Sequence, residues 1–112
     1  MKKIVDGKEI EYFPLTQWWV FKWVGGITLN GKIYLRQTTA VTDVILRHEY
    51  IHVLQQKEVG YIPFLLRYVK EWLLNGYRGI SFEKEAYLND WKQDYLNTRE
   101  PNAWRKYSTQ LS

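Results

Sequence analysis

The residues best equipped for chemistry lie together at His48-Glu49-Tyr50-Ile51-His52, an H-E-x-x-H pattern holding the only two histidines of the chain. On an α-helix, positions four apart lie one turn apart, so both imidazoles leave the same face. That is what one divalent metal ion needs from two ligands on a single rigid element. Glu49 follows His48 directly and its side chain leaves at another angle. It can reach a metal-bound water without ligating the metal. A carboxylate so placed takes the water's proton as the nucleophile attacks, which is the chemistry of metal-assisted hydrolysis.

The element that must carry these residues is legible. Val44, Ile45, Ile51 and Leu54 recur near the 3.6-residue period of a helix. Thr42 or Asp43 suits its N-cap and Gly60 its stop, so the helix is expected to run to about Glu58. With no cysteine in the chain, the metal must be held by nitrogen and oxygen. That donor set favours an open catalytic site over a Cys-rich structural one, and the third ligand must be a carboxylate. Glu83 and Glu85 open a later helix, and either can turn inward.

The rest of the chain reads as follows. Ile4–Phe13 suggests a hairpin with Asp6-Gly7 at its turn, and Ile27–Arg36 a clearer one around Asn30-Gly31. Between them, Gln17–Val24 reads as a strand. Trp19, Phe21 and Trp23 alternate onto one face, and Trp18, Val20 and Val24 share the other with Lys22. A strand apolar on both faces implies helix cover, or else an aromatic patch that contacts a partner or a membrane surface. After Gly60, Pro63 suits the first turn of a second helix through Leu74, its apolar side formed by Phe64, Leu65, Tyr68, Trp72 and Leu73. Asn75-Gly76 ends it, and Tyr77–Ile80 reads as a loop. Ser81 suits the N-cap of a third helix to about Asn97, with Ala86, Leu88, Trp91, Tyr95 and Leu96 inward. Pro101 opens a last short helical segment with Trp104 and Tyr107. The fold class is α+β, a small N-terminal antiparallel or mixed sheet followed by the motif helix, a connecting helix and a glutamate-bearing helix.

Composition narrows the function classes. A chain of 112 residues has room for one core, and its 46% hydrophobic content makes that core sufficient. The net charge of +4 is spread along the sequence, so no nucleic-acid surface is indicated beyond a pI near 9.3. The first residues lack the apolar run of a signal peptide, and Arg67, Lys70 and Glu71 interrupt the longest apolar stretch, Ile62–Leu74. A cytoplasmic location is the expectation.

H-E-x-x-H followed on a later helix by Glu83 and Ala86, in the pattern E-x-x-A, resembles the gluzincin clan of zinc metallopeptidases. The short length is similar to that of its minimal single-domain members, the minigluzincins. Gly26-Ile27-Thr28 and Val53-Leu54-Gln55-Gln56 extend the likeness, which spans roughly Gly25 to Leu88. The resemblance implies a zincin-like fold, Zn2+ held by His48, His52 and Glu83, and Glu49 as general base and acid. It also implies a peptide or protein substrate that adds as a strand to an edge at Gly26, Ile27 and Thr28. One position departs from the pattern. Many members carry Asp four residues after the glutamate ligand, where it orients a ligand; here Tyr87 stands. Tyr77, Arg78 and Tyr87 are candidate donors to a developing oxyanion, and the tail beyond Pro101 is a candidate cover for the cleft. The competing expectation is an inactive, zinc-stabilised interaction module whose business surface is the aromatic strand Gln17–Val24.

Overall fold

A computed structural model describes residues 1–15, 26–36 and 40–108. The aromatic strand expected over Gln17–Val24, and with it the patch, lies outside the described residues. Among the described residues, four strands form one mixed sheet: β1 (Lys2–Val5), β2 (Lys8–Leu15), β3 (Gly26–Leu29) and β4 (Lys32–Arg36), in the order β1-β2-β4-β3. The pairs β1–β2 and β3–β4 are antiparallel and β2–β4 is parallel. Both expected hairpin turns are present. Asp6 and Gly7 (φ 55° and 77°), like Asn30 and Gly31 (51° and 78°), are left-handed, the conformation a two-residue type I′ turn requires.

Helix α1 (Asp43–Val59) carries the motif. Thr42, not Asp43, is its cap: the Thr42 hydroxyl accepts from the Ile45 N–H at 3.2 Å. Ile10, Ile33 and Leu35 of the sheet pack with Leu46, Ile51 and Val53 of α1 to form the main core. Helix α2 (Tyr61–Asn75) follows after Gly60, whose φ of 95° breaks α1. Residues 77–79 form a single 3-10 turn rather than an open loop. Helix α3 (Ser81–Asn89) packs on α2 through a second cluster in which Phe82 stacks on Phe64 at 4.3 Å and meets Trp104 at 4.9 Å.

Three features depart from what the sequence predicts. Ser81 does not cap α3 but begins it. Its N–H and hydroxyl both donate to Glu71 Oε1 at 2.7 Å, so a carboxylate from α2 does the capping. The third helix does not continue to Asn97: α3 ends at Asn89, the chain turns through a left-handed Asp94 (φ 68°), and α4 is only Tyr95–Thr98. The reason lies far away in sequence, because the Asp6 carboxylate accepts from the Asp94 and Leu96 N–H groups (2.8 and 3.1 Å) and holds the turn open. Finally, Leu73, Leu88 and Trp91 point outward, 82%, 54% and 64% exposed. Among the described residues, no helix is long and apolar enough to cross a membrane.

Candidate metal centre

Helix α1 points His48 and His52 at α3, where Glu83 sits in the first turn. One carboxylate oxygen, Glu83 Oε1, lies 3.2 Å from the Nε2 of both histidines. The three possible ligand atoms lie within 4.8 Å of one another, and all three residues are buried. The histidine rings meet edge-on, centroids 5.0 Å apart.

The far side of each ring is also occupied. His48 Nδ1 is 3.1 Å from Asp90 Oδ2, and His52 Nδ1 is 2.7 Å from Gln55 Oε1. The Gln55 amide cannot be turned round. Its nitrogen donates to the Phe82 carbonyl (3.0 Å) and to Glu85 Oε1 (2.9 Å), both acceptors, so its oxygen must face His52. His52 Nδ1 therefore carries a proton, and Asp90 requires the same of His48. Each Nε2 then either holds a second proton or offers a lone pair toward the point that Glu83 Oε1 also faces. The cluster calls for positive charge at that point, and two imidazoles and a carboxylate are a group that could hold a divalent metal ion.

The electrostatics agree. Burial pushes the His48 pKa down, but the hydrogen bonds to Asp90 and Glu83 and the charge of Glu49 outweigh it and hold His48 up at about 10. His52 is likewise raised: burial opposes it and the Glu83 charge wins. Burial would raise Glu83, yet the two histidines bring it well below the usual carboxylate range. Its second oxygen accepts from the Tyr68 hydroxyl at 2.8 Å.

Glu49 faces the same cleft but not the same point. The Thr28 hydroxyl donates to Glu49 Oε1 at 2.8 Å and thereby fixes the carboxylate. Its other oxygen lies against Gly26, where an added Cβ would come within 3.3 Å of Glu49 Oε2 and 2.7 Å of Leu35 Cδ2. Glycine at 26 thus leaves room for the carboxylate. Gly26, Ile27 and Thr28 line the cleft, about 390 Å³, with His48, Glu49 and His52. Strand β3 is an edge strand among the described residues. Gln56 of α1 clips it in place, donating to the Thr28 carbonyl (3.0 Å) and accepting from the Gly31 N–H (2.7 Å).

The alternative ligand, Glu85, is not at this point. Two residues on a helix turn by about 200°, so Glu83 and Glu85 leave opposite faces of α3. Glu85 is fully buried on the other side, paired with Arg99 Nε at 2.6 Å and accepting from the Tyr95 hydroxyl at 2.7 Å. Arg99 in turn forks onto Glu58 (2.8 and 3.0 Å). Glu85 instead fixes Gln55, and through it the His52 ring.

Of the three candidate oxyanion donors, Tyr77 and Tyr87 line the cleft, whereas Arg78 lies over the Tyr87 ring at 5.5 Å. The Tyr77 and Tyr87 hydroxyls are 3.3 Å apart. That contact uses one of their two protons and leaves the other for an acceptor in the cleft. Burial and the nearby Glu83 charge raise the Tyr77 pKa, so it stays a donor. Tyr87 also packs edge-on against His48, centroids 4.5 Å apart. A carboxylate does face His48, from Asp90, seven residues (two helical turns) after Glu83. Among the described residues, the tail does not cover the cleft. Residues 101–108 pack behind α3, with Trp104 wedged against Phe82 and under the Arg67 guanidinium (4.8 Å).

Sequence reasoning missed Asp90, Gln55 and Tyr68 as site residues. Gln55, three residues after His52 on one helix face, was the most accessible signal; Tyr68 read only as part of an apolar side. Comparison with protein-family models, with curated proteins and with solved structures gives no match to this chain.

Proposed function

We propose that this chain is a zinc-dependent peptide hydrolase of gluzincin type, with a zincin-like arrangement of sheet and helices. The observation that carries the proposal is the convergence of His48 Nε2, His52 Nε2 and Glu83 Oε1 on one point, with the other nitrogen of each ring already bonded to an acceptor. These three residues would hold the ion. When bound, zinc lowers the pKa of water and polarises a carbonyl oxygen.

The remaining work falls to the chain itself. Glu49, held by Thr28, accepts the proton of the attacking water and delivers it to the leaving amine. Tyr77, with Tyr87, donates a hydrogen bond to the oxygen that gains charge. The edge of β3, free among the described residues, takes an extended peptide as an added strand beside Glu49. Tyr68 and Asp90 fix the orientation of Glu83 and His48.

The test is zinc uptake by the purified protein and cleavage of an unfolded protein substrate, with Glu49→Gln as control. Uptake near one equivalent is expected for both proteins, with hydrolysis in the wild type alone and at least about 100-fold slower in the variant. A wild type that binds zinc and melts on chelation without any hydrolysis would be a metal-stapled interaction module instead.

A further inference from the structure

Six large apolar side chains of α2 are exposed: Ile62, Leu66, Val69, Trp72, Leu73 and Leu74, from 47% to 82%. Residues 62, 66, 69 and 73 recur at spacings of four, three and four, which places them on one stripe of the helix. The opposite face is engaged: Phe64 is in the core, Glu71 caps α3 and Tyr68 holds Glu83. Next to the stripe, exposed Trp72 meets Tyr77 at 6.2 Å and Tyr77 meets Tyr87 at 6.3 Å, at the mouth of the cleft; Leu88, and Trp91 just past α3, are exposed as well.

The exposed charges of this stretch of chain have one sign. From Tyr61 to Lys92 the exposed charged residues are Lys70, Arg78 and Lys92. The acids of the same stretch are withdrawn: Glu71, Glu83 and Glu85 are buried, and half-buried Asp90 is bonded to His48. Two of the cations sit beside exposed rings, Arg78 at 5.5 Å from Tyr87 and Lys92 at 5.7 Å from Trp91.

We propose that this band docks the protein on the surface of an anionic lipid bilayer, with α2 lying in the interface. An apolar helix face edged by aromatic rings and by lysine and arginine is what such a surface binds. Fifteen residues of helix reach about 22 Å, too short to span a bilayer but suited to lying on one. Charge argues against self-association. A two-fold pairing of α2 with its copy would bring cations together with no exposed acid on that helix to meet them, whereas acidic headgroups neutralise them. The proposal needs neither metal nor hydrolysis.

The test is co-sedimentation of the full chain with phosphatidylcholine vesicles, with and without phosphatidylserine. Phosphatidylserine should tighten binding at least about tenfold, and added salt should reverse the gain. Replacing both Leu66 and Leu73 by Asp removes two side chains from the lipid, and binding should fall more than about tenfold while circular dichroism stays unchanged. Lys70→Glu with Lys92→Glu should abolish the preference for phosphatidylserine, and this variant decides the matter if the leucine variant fails to fold. Absence of vesicle binding, equal binding to both vesicle types, or an undiminished preference in the lysine variant overturns the proposal. So does a lipid-free dimer that the leucine substitutions dissolve.

Discussion

Gln55→Met isolates the part of the candidate metal centre that lies one residue removed from the proposed ligands. Gln55 is fully buried and makes three hydrogen bonds, to His52, the Phe82 carbonyl and Glu85. Methionine keeps the length of the side chain and removes all three. At about 1 kcal/mol for each bond, and somewhat more for the buried Phe82 carbonyl left without this donor, the metal-free protein should lose about 3–5 kcal/mol of stability. Glu85 suffers less, because Arg99 and Tyr95 still hold it. The metal should report a separate loss. Without the Gln55 oxygen, the His52 ring is free to rotate and to exchange tautomers, and zinc affinity should fall about 10- to 100-fold, or about 1.4–2.7 kcal/mol. Urea unfolding followed by tryptophan fluorescence, with and without zinc, measures the first quantity. Competition against a chelator of known affinity measures the second. A variant destabilised as expected, yet binding zinc within about threefold of the wild type, would refute the claim that Gln55 orients His52.

Other perturbations reach different parts of the molecule. Asp90→Asn keeps the shape but removes the charge facing His48 Nδ1, and zinc affinity by chelator competition should drop about tenfold with little change in circular dichroism. Gly26→Ala drives a Cβ against Leu35 and Glu49, so melting should reveal a loss of about 1–3 kcal/mol, and hydrolysis should fall more than zinc uptake. Asp6 has its pKa lowered from 3.8 to about 2, first by its hydrogen bond with Arg47, against the cost of burial, and further by the Asp94 and Leu96 N–H groups. A depressed carboxylate stabilises the fold above its unfolded pKa and loses that contribution as pH falls through the folded value. Asp6 should therefore contribute about 2 kcal/mol at neutral pH, draining away from about pH 4 to pH 2, and Asp6→Asn should flatten that portion of the acid unfolding curve. Ending the chain after Arg99 removes Trp104 from against Phe82, and thermal melting should register a loss of about 3–5 kcal/mol rather than any gain in activity from an uncovered cleft.

What could be read from the sequence divides along the range of the interactions. Asp6-Gly7, Asn30-Gly31, Thr42 and Gly60 act on their immediate neighbours, and the turns, the cap and the helix end stand where those residues predict. The pairing of His48 with His52 is equally local, because one helical turn suffices. The early end of α3 was not legible, because the carboxylate that holds the following turn comes from Asp6, at the other end of the chain. Leu73, Leu88 and Trp91 were misplaced for a related reason: periodicity locates an apolar stripe but not what covers it. By residue type alone Glu83 and Glu85 are equivalent, and only the E-x-x-A resemblance favours Glu83; their opposite directions on α3 follow once Arg99 and the histidines lie on either side.

Asp6 has a consequence for how the molecule comes apart. Its side chain binds Arg47, the residue before His48, and also the backbone of Asp94 and Leu96, while its own carbonyl accepts from Asn97 at 2.6 Å. One turn of the first hairpin thus ties the start of the chain to its middle and to a segment nearly ninety residues away. Opening the first hairpin or the segment 94–97 releases the same knot, so neither can loosen without the base of the histidine-bearing helix feeling it. Hydrogen exchange should find the amides of Arg47, Asp94 and Leu96 opening together, as one cooperative unit spanning almost the whole chain.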